Sequence, residues 1–136
     1  MSVEFDGRKI CGHDVKFTIM PEQRKVQAVI HNCEYDAVSY IQSCSGFTVD
    51  GLKYHMKSMY WATATCAPED EFNPELGKRI AYKRLVKKYL RYRNNRLFAF
   101  LGELSDVQIK ISRRFYNAYK HIDRIDPLVG VNISKE

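Results

Sequence analysis

The sequence predicts an α+β domain in which an N-terminal antiparallel sheet of about five or six short strands packs against two or three C-terminal helices. In the first half of the chain apolar residues alternate with polar ones, which is the period of a half-buried strand. After residue 73 they recur at helical spacing, and basic residues become frequent. With 136 residues, 45% of them hydrophobic, the chain can bury one core. We therefore expect a single domain over residues 1–136, mainly β in 1–66, mainly helical in 67–126, with a tail at 127–136.

Short turns divide the first half of the chain into strand pairs. Asp6-Gly7 and Asp50-Gly51 are dipeptides typical of tight hairpin turns, and residues 21–24 form a third turn that begins with proline. The predicted pairs are residues 3–5 with 8–11, 15–19 with 26–30, and 47–49 with 52–65. Residues 37–44 fit a helix and a strand equally well.

The second half opens with a strong helix start. Asn73 is a good N-cap, Pro74 suits the first helical position, and Glu75 places an acid in the first turn. At 100° per residue one arc of this helix is apolar, and we expect it to pack on the sheet through Leu76, Ile80, Val86 and Leu90, with Tyr82 and Tyr89 at its border. Asn94-Asn95 predicts a break, after which Ser105 would cap a last helix that ends at Asp126-Pro127.

The basic residues are concentrated in that helical half. The net charge is +6, and residues 76–102 contain no acid. A cationic stripe interleaved with tyrosines can contact phosphates and bases, although a solvated helix face has the same composition. We expect a protein or a nucleic acid to bind there, through Arg84, Lys87, Lys88, Arg91 and Tyr92.

Two Cys/His pairs in the first half suggest a structural zinc site. Each pair has the i, i+2 spacing that points both side chains to one face of a strand. The candidate ligands are Cys11, His13, His31 and Cys33.

The register of the hairpin at residues 15–30 decides whether these four ligands meet. A hairpin centred on Glu22 would place the two pairs opposite each other. Matching the apolar faces shifts the pairing by one residue and sends the pairs to opposite faces, unless a bulge at Gly12 restores them. Without a bulge, Cys33 could instead join Cys44 or Cys66, and the thiols could equally be ordinary buried cysteines.

The chain contains no phosphate-binding glycine loop, no nucleophile elbow and no zinc-protease helix motif, so we expect a binding protein and not an enzyme. It also has no run of about 18 apolar residues and no secretory signal, from which we expect an intracellular protein without a membrane span.

Residues 65–77, Thr-Cys-Ala-Pro-Glu-Asp-Glu-Phe-Asn-Pro-Glu-Leu-Gly, resemble a strand-to-helix junction of small phage and prophage proteins. The resemblance covers only this junction, in which we expect Cys66 and Phe72 to be buried and Gly77 to allow close approach of helix and sheet. It implies a phage-encoded protein in the cytoplasm of an infected bacterial host, similar to the anti-CRISPR inhibitors of type II systems. Such a protein would occupy a surface of an RNA-guided nuclease and block nucleic-acid loading. The alternative is an accessory protein that binds DNA or RNA nonspecifically through the basic helix.

Overall fold

The computed structural model describes residues 4–125, without the side chains of 119 and 121–125. Within these residues, five strands and two helices form an α+β fold, which confirms the predicted class. The elements are β1 Lys9–Ile10, β2 His13–Asp14, β3 Lys16–Met20, a 3-10 turn Pro21–Gln23, β4 Lys25–Ile30, α1 Asp36–Ser45, β5 Tyr60–Thr65 and α2 Pro74–Ile125. The chain forms two compact units, of which the first ends at Phe98 and the second begins at Ala99.

The first hairpin turns at Cys11-Gly12, so the predicted hairpin around Asp6-Gly7 is wrong. β1 and β2 pair with Ile10 opposite His13. Cys11 and Gly12 both have positive φ, of 49° and 86°. A two-residue turn of that conformation matches the right-handed twist of its strands, and this favours the tight connection.

The main sheet has the order β3-β4-β5, and all its pairs are antiparallel. Phe17 lies opposite Ala28 and Ile19 opposite Val26, which confirms the register that matches the apolar faces. On β5, Ala64 lies opposite Val26 and continues the same inner face. The predicted turn at residues 21–24 is also present, with Arg24 in the left-handed conformation at its end.

The segment between β4 and β5 differs from the prediction. Residues 36–45 form α1, which buries Ala37, Val38 and Ile41 and ends at Gly46 with a φ of 74°. The predicted strand pair around Asp50-Gly51 is wrong, because residues 47–59 form no strand and β5 begins only at Tyr60. The backbone of this segment bonds instead to the loop after β4, from Met56 N to Glu34 O (2.9 Å) and from Cys33 N to Ser58 O (3.0 Å).

Helix α2 begins as predicted. Asn73 Oδ1 accepts hydrogen bonds from the backbone N–H groups of Glu75 (3.1 Å) and Leu76 (3.3 Å). Gly77 lies so close to the sheet that a Cβ there would stand 2.6 Å from Val26 Cγ2. The expected close approach is therefore present.

The buried face of α2 is rotated from the predicted one. Ala81, Leu85 and Tyr89 are fully buried, whereas Leu76 and Ile80 are exposed. The buried residues continue the i, i+4 row that starts at Gly77 and faces the sheet. The close contact between Gly77 and the sheet therefore determines which face of α2 is buried.

The predicted break at Asn94-Asn95 is wrong, and Ser105 lies within the helix, since α2 runs without interruption from Pro74 to Ile125. An exposed asparagine costs a helix only several tenths of a kcal/mol relative to alanine, which is too little to end one. The predicted stop at Asp126-Pro127 and the tail lie outside the described residues. Across residues 4–125, no helix carries an apolar stretch long enough to cross a bilayer.

At the junction before α2, Cys66 and Phe72 are half-buried, not fully buried as expected. Arg24 holds this loop, because its Nη2 donates to Ala67 O at 3.1 Å and also to the carbonyl of Asp70. The same nitrogen lies 3.3 Å from Cys66 Sγ. The junction thus has a clear structural role.

Candidate functional site

His13, Cys33 and Asp36 form a group that could hold a metal ion. One ligand atom from each residue lies within 4.8 Å of the other two. His13 Nε2 is 2.6 Å from Asp36 Oδ2, and the Tyr89 hydroxyl donates to the same oxygen at 2.5 Å. The Cys33 side chain is fully buried.

Four elements bring these side chains together. His13 belongs to β2, Cys33 follows β4, Asp36 is the first residue of α1, and Tyr89 lies on the buried face of α2. The loop between Ile30 and Asp36 turns sharply because Asn32 has a φ of 64°. The cluster therefore joins both helices to both hairpins.

Burial favours the neutral, protonated forms of Cys33 and Tyr89 by raising the pKa of each. It raises the pKa of the Cys33 thiol to about 12, and the nearby Asp36 carboxylate adds to the rise. Burial also raises the pKa of Tyr89, and the hydrogen bond to Asp36 acts in the same direction. A metal ion would have to displace the thiol proton, as zinc does when it binds cysteine.

Of the four sequence-predicted metal ligands, the structure brings His13 and Cys33 together in this group. Cys11 lies exposed in the turn between β1 and β2, where Arg93 Nη1 is 3.5 Å from its Sγ. His31 is exposed just beyond the end of β4. Both pairs lie at strand ends, so their i, i+2 spacing does not place them on one strand face.

Asp36 is the ligand that the sequence pattern missed. The Cys/His pairs indicated soft ligands only, and Asp36 precedes a segment that fitted a helix and a strand equally well. Asp36 is placed beside His13 and Cys33 because α1 begins there, and the sequence did not establish that helix. The other two thiols lie elsewhere, with Cys44 exposed on α1 and Cys66 half-buried at the junction.

Two residues of the predicted cationic stripe cover the edge of the sheet. Arg84 Nη1 donates to Thr63 O at 2.8 Å, and Lys88 Nζ donates to Trp61 O at 3.0 Å. β5 is an edge strand, and residues two apart direct their carbonyls to the same side. Arg84 and Lys88 are one helical turn apart, and Thr63 and Trp61 are two strand residues apart, so the two spacings agree. The two side chains thus provide hydrogen bonds to edge carbonyls that face away from β4.

The remaining predicted contact residues are open to solvent. Lys87 and Arg91 are exposed on α2. Tyr92 is partly exposed, with its ring 5.4 Å from that of Tyr60 and 6.0 Å from Lys57 Nζ. On α2, Lys87 and Arg91 lie on the side of the helix away from the buried row at residues 77, 81, 85 and 89.

The outer face of the sheet is open and contains no acid. It consists of three cross-strand rows, and none of their side chains is buried. The rows are Lys16–Val29–Trp61, Thr18–Gln27–Thr63 and Met20–Lys25–Thr65.

Trp61 is the aromatic residue of this face, at 43% exposure, and Lys88 Nζ lies 4.6 Å from the centre of its ring. Lys88 therefore connects the basic side of α2 to the outer face of the sheet. From the sequence, Trp61 fitted strand packing or a contact surface. The alternation of Tyr60 and Trp61 was the signal, since Tyr60 is buried and its neighbour must face outward.

No protein-family model matches the chain, and no curated protein or solved structure matches it either. The phage origin and the RNA-guided nuclease partner implied by the junction therefore stay predictions.

Proposed function

We propose that this chain is a nucleic-acid-binding protein that receives a single strand on the outer face of the β3-β4-β5 sheet and along the basic side of α2. The observation that carries the proposal is Trp61, an exposed indole on an acid-free sheet face with a lysine against its ring. An indole offers a stacking surface to any base, and the surrounding lysines and arginines offer charge to phosphates.

The basic residues and Trp61 supply different parts of the binding energy. Lys16 and Lys25 lie on the sheet face, and Lys87 and Arg91 extend the positive charge along α2. Phosphate contacts give affinity that falls as salt rises, whereas stacking on Trp61 depends little on salt. With no base-reading motif in the sequence, we expect binding with little preference for sequence.

Trp61 is the single tryptophan of the chain, so its fluorescence reports on the proposed site directly. Titration with a short oligothymidylate or oligouridylate should quench Trp61 emission, and affinity should fall steeply between low and moderate salt. Unchanged emission and unchanged oligonucleotide anisotropy at low salt would reject the proposal. Binding of duplex alone would also reject it, because paired bases cannot stack on an indole.

Substitutions separate charge from stacking. Lys87→Gln with Arg91→Gln should weaken binding of a labelled oligonucleotide and lower the salt slope by about 0.7 for each lost phosphate contact. Trp61→Leu should cost about 1–3 kcal/mol and leave the slope unchanged. Lys9→Gln is the matched control, since it removes one exposed charge from the β1–β2 hairpin and should change neither value.

A separate observation supports a structural metal. We propose that His13, Cys33 and Asp36 hold zinc, because their nitrogen, sulfur and oxygen donors lie within 4.8 Å of one another at the meeting point of four elements. The ion would stabilise the fold and take no part in nucleic-acid binding. The competing arrangement is a metal-free hydrogen-bonded cluster centred on Asp36.

Cobalt substitution distinguishes the two arrangements. Co²⁺ bound to a thiolate gives a charge-transfer absorption, which Cys33→Ser should abolish and Cys44→Ser should leave intact. Zinc should displace the cobalt and raise the melting temperature. Protein that takes up neither metal and melts unchanged would support the hydrogen-bonded cluster instead.

A further inference from the structure

The second compact unit of the chain carries an apolar stripe at coiled-coil spacing. Along α2 the positions 101, 104, 108, 111, 115 and 118 follow one another at alternating steps of three and four residues. That is the spacing of heptad positions a and d. The residues at these positions are Leu101, Leu104, Gln108, Ile111, Phe115 and Ala118.

These side chains are open to solvent. Leu101 is 55% exposed, Leu104 37%, Ile111 61% and Phe115 72%. Glu103, Asp106, Lys110 and Arg113 lie on the opposite side of the helix, and both signs of charge occur among them. Arg114 lies at the border of the stripe, at a position that flanks the apolar seam of a coiled coil. A helix that is apolar along one side and charged along the other requires a partner for its apolar side.

We propose that residues 101–118 pair with the same segment of a second copy of this chain, as a parallel two-stranded coiled coil. The period of 3.5 residues is the first argument, because it keeps one stripe facing a partner helix along its whole length.

The exposed area is the second argument. With about 200 Å² for a fully exposed large apolar side chain, the four measured residues leave roughly 450 Å² open on each copy. Two copies would bury roughly 900 Å² from these residues alone, close to the total of about 1,000 Å² that a specific interface needs. Flanking residues such as Val107, itself half exposed, would add to that area.

Gln108 fixes the partner and its direction. In a parallel, in-register pair the two Gln108 side chains face each other, and each amide can both donate to and accept from its copy. An antiparallel pair would place Gln108 against Ile111 and leave the amide without a hydrogen bond in an apolar layer. A copy of the same helix is thus a partner whose chemistry satisfies the polar residue.

Sedimentation equilibrium of the full chain over a range of concentrations tests the proposal. We expect twice the 15.9 kDa mass of one chain at high concentration. Ile111→Glu should shift the mass to that of one chain, and it should not disturb a folded monomer because Ile111 is exposed. Ile109→Glu is the matched control, since Ile109 is 47% exposed and lies outside the stripe. It should keep the wild-type mass.

A cysteine at the centre of the stripe tests the direction. Gln108→Cys should form a disulfide between copies under mild oxidation, whereas Ile109→Cys should give no more cross-linked dimer than the wild type. A single-chain mass at every concentration would overturn the pair, as would an Ile111→Glu variant that still dimerises. Absence of the Gln108→Cys cross-link in a dimeric protein would overturn the parallel arrangement.

Discussion

At the residue scale, Gly77 shows how the lack of a side chain sets the distance between α2 and the sheet. An added Cβ would meet Val26 Cγ2 at 2.6 Å. Gly77→Ala should therefore lower the free energy of unfolding by about 1–3 kcal/mol, despite the better helix propensity of alanine. Urea denaturation measures this loss.

Gly102 is the matched control for that substitution. It lies in the same helix, and an added Cβ there would meet no atom within 4 Å. Gly102→Ala should raise stability by about 0.5–1 kcal/mol. Combining Gly77→Ala with Val26→Ala should cost less than the sum of the single changes, and strict additivity would show that the two side chains do not compete for space.

In metal-free protein, the buried thiol of Cys33 predicts a loss of stability in alkali. Its pKa rises from 9.0 to about 12 on folding, so the unfolded chain releases the thiol proton first as the pH increases. The free energy of unfolding should be level below about pH 8 and fall between about pH 9 and 12, by up to about 1.4 kcal/mol per pH unit for each such group. Burial raises the pKa of Tyr60 and Tyr89 with the same sign.

Cysteine variants isolate the contribution of Cys33. Urea unfolding at several pH values between 8 and 11 should give a shallower decline for Cys33→Ala than for the wild type. Cys44→Ala should leave the decline unchanged, because that thiol is exposed. An equal decline in both variants would assign the effect to the tyrosines and to other groups.

At the scale of elements, alternation predicted the pairing of β3 with β4 but not the path of the segment before β5. The register of β3 and β4 followed from alternation over residues 15–19 and 26–30, because only one register puts both apolar sets on the same face. Residues 52–57 alternate in the same way, yet they form no strand, because alternation does not supply a neighbouring strand to pair with. Their path is set by single buried anchors such as Tyr54 and Met56 and by backbone bonds to the loop after β4.

For the candidate sites, the residue types could be predicted from the sequence, but the contacts between them could not. His13 and Cys33 were predictable as metal-ligand residue types, but their meeting with Asp36 depends on α1, which the sequence left open. The cations of α2 were predictable as a charged side. Their connection to Trp61 depends on the position of α2 along β5, and no local pattern contains that information.

The contact between α2 and the edge of β5 leads to a prediction about Arg84 and Lys88. Each donates a hydrogen bond to an edge carbonyl. Arg84→Ala with Lys88→Ala should lower the free energy of unfolding by about 1–3 kcal/mol in total, since a charged donor to a carbonyl is worth at most a few kcal/mol and these are solvent-exposed. Lys83→Ala with Lys87→Ala removes the same charge from the same helix at exposed positions.

The control pair should leave the urea midpoint nearly unchanged. Uncovering the edge should also increase concentration-dependent association through β5, because unpaired edge carbonyls accept hydrogen bonds from another strand. Equal midpoints for the two double variants would mean that net charge, and not the edge contact, determines stability here.

At the scale of the whole molecule, α2 begins in the first compact unit and continues into the second. The sequence predicted a last helix after Ser105 within a single domain, yet the large apolar side chains between residues 101 and 118 are exposed. The helix formed as expected, but a sequence period does not state whether a stripe is covered by the same chain or by another one.

If a second copy covers the stripe, Gln108 limits the affinity of the pair. A polar residue at a single a position costs stability and fixes the register of the two helices. Gln108→Leu should therefore lower the dissociation constant of the dimer, by about tenfold if the change is worth about 1.4 kcal/mol. Sedimentation equilibrium of the wild type and the variant measures the difference.

Asn117→Leu is the control, because residue 117 is exposed and lies outside the a and d positions. It adds an apolar side chain of the same size and should leave the dissociation constant unchanged. Without the paired amides, the Gln108→Leu helices should also pair in both directions. A cysteine introduced at residue 115 should then cross-link a smaller share of the dimers, because an antiparallel pair places residue 115 opposite residue 104 and not opposite its copy. A tighter but uniformly parallel dimer would show that the apolar layers alone fix the direction, whereas an unchanged dissociation constant would place Gln108 outside the interface.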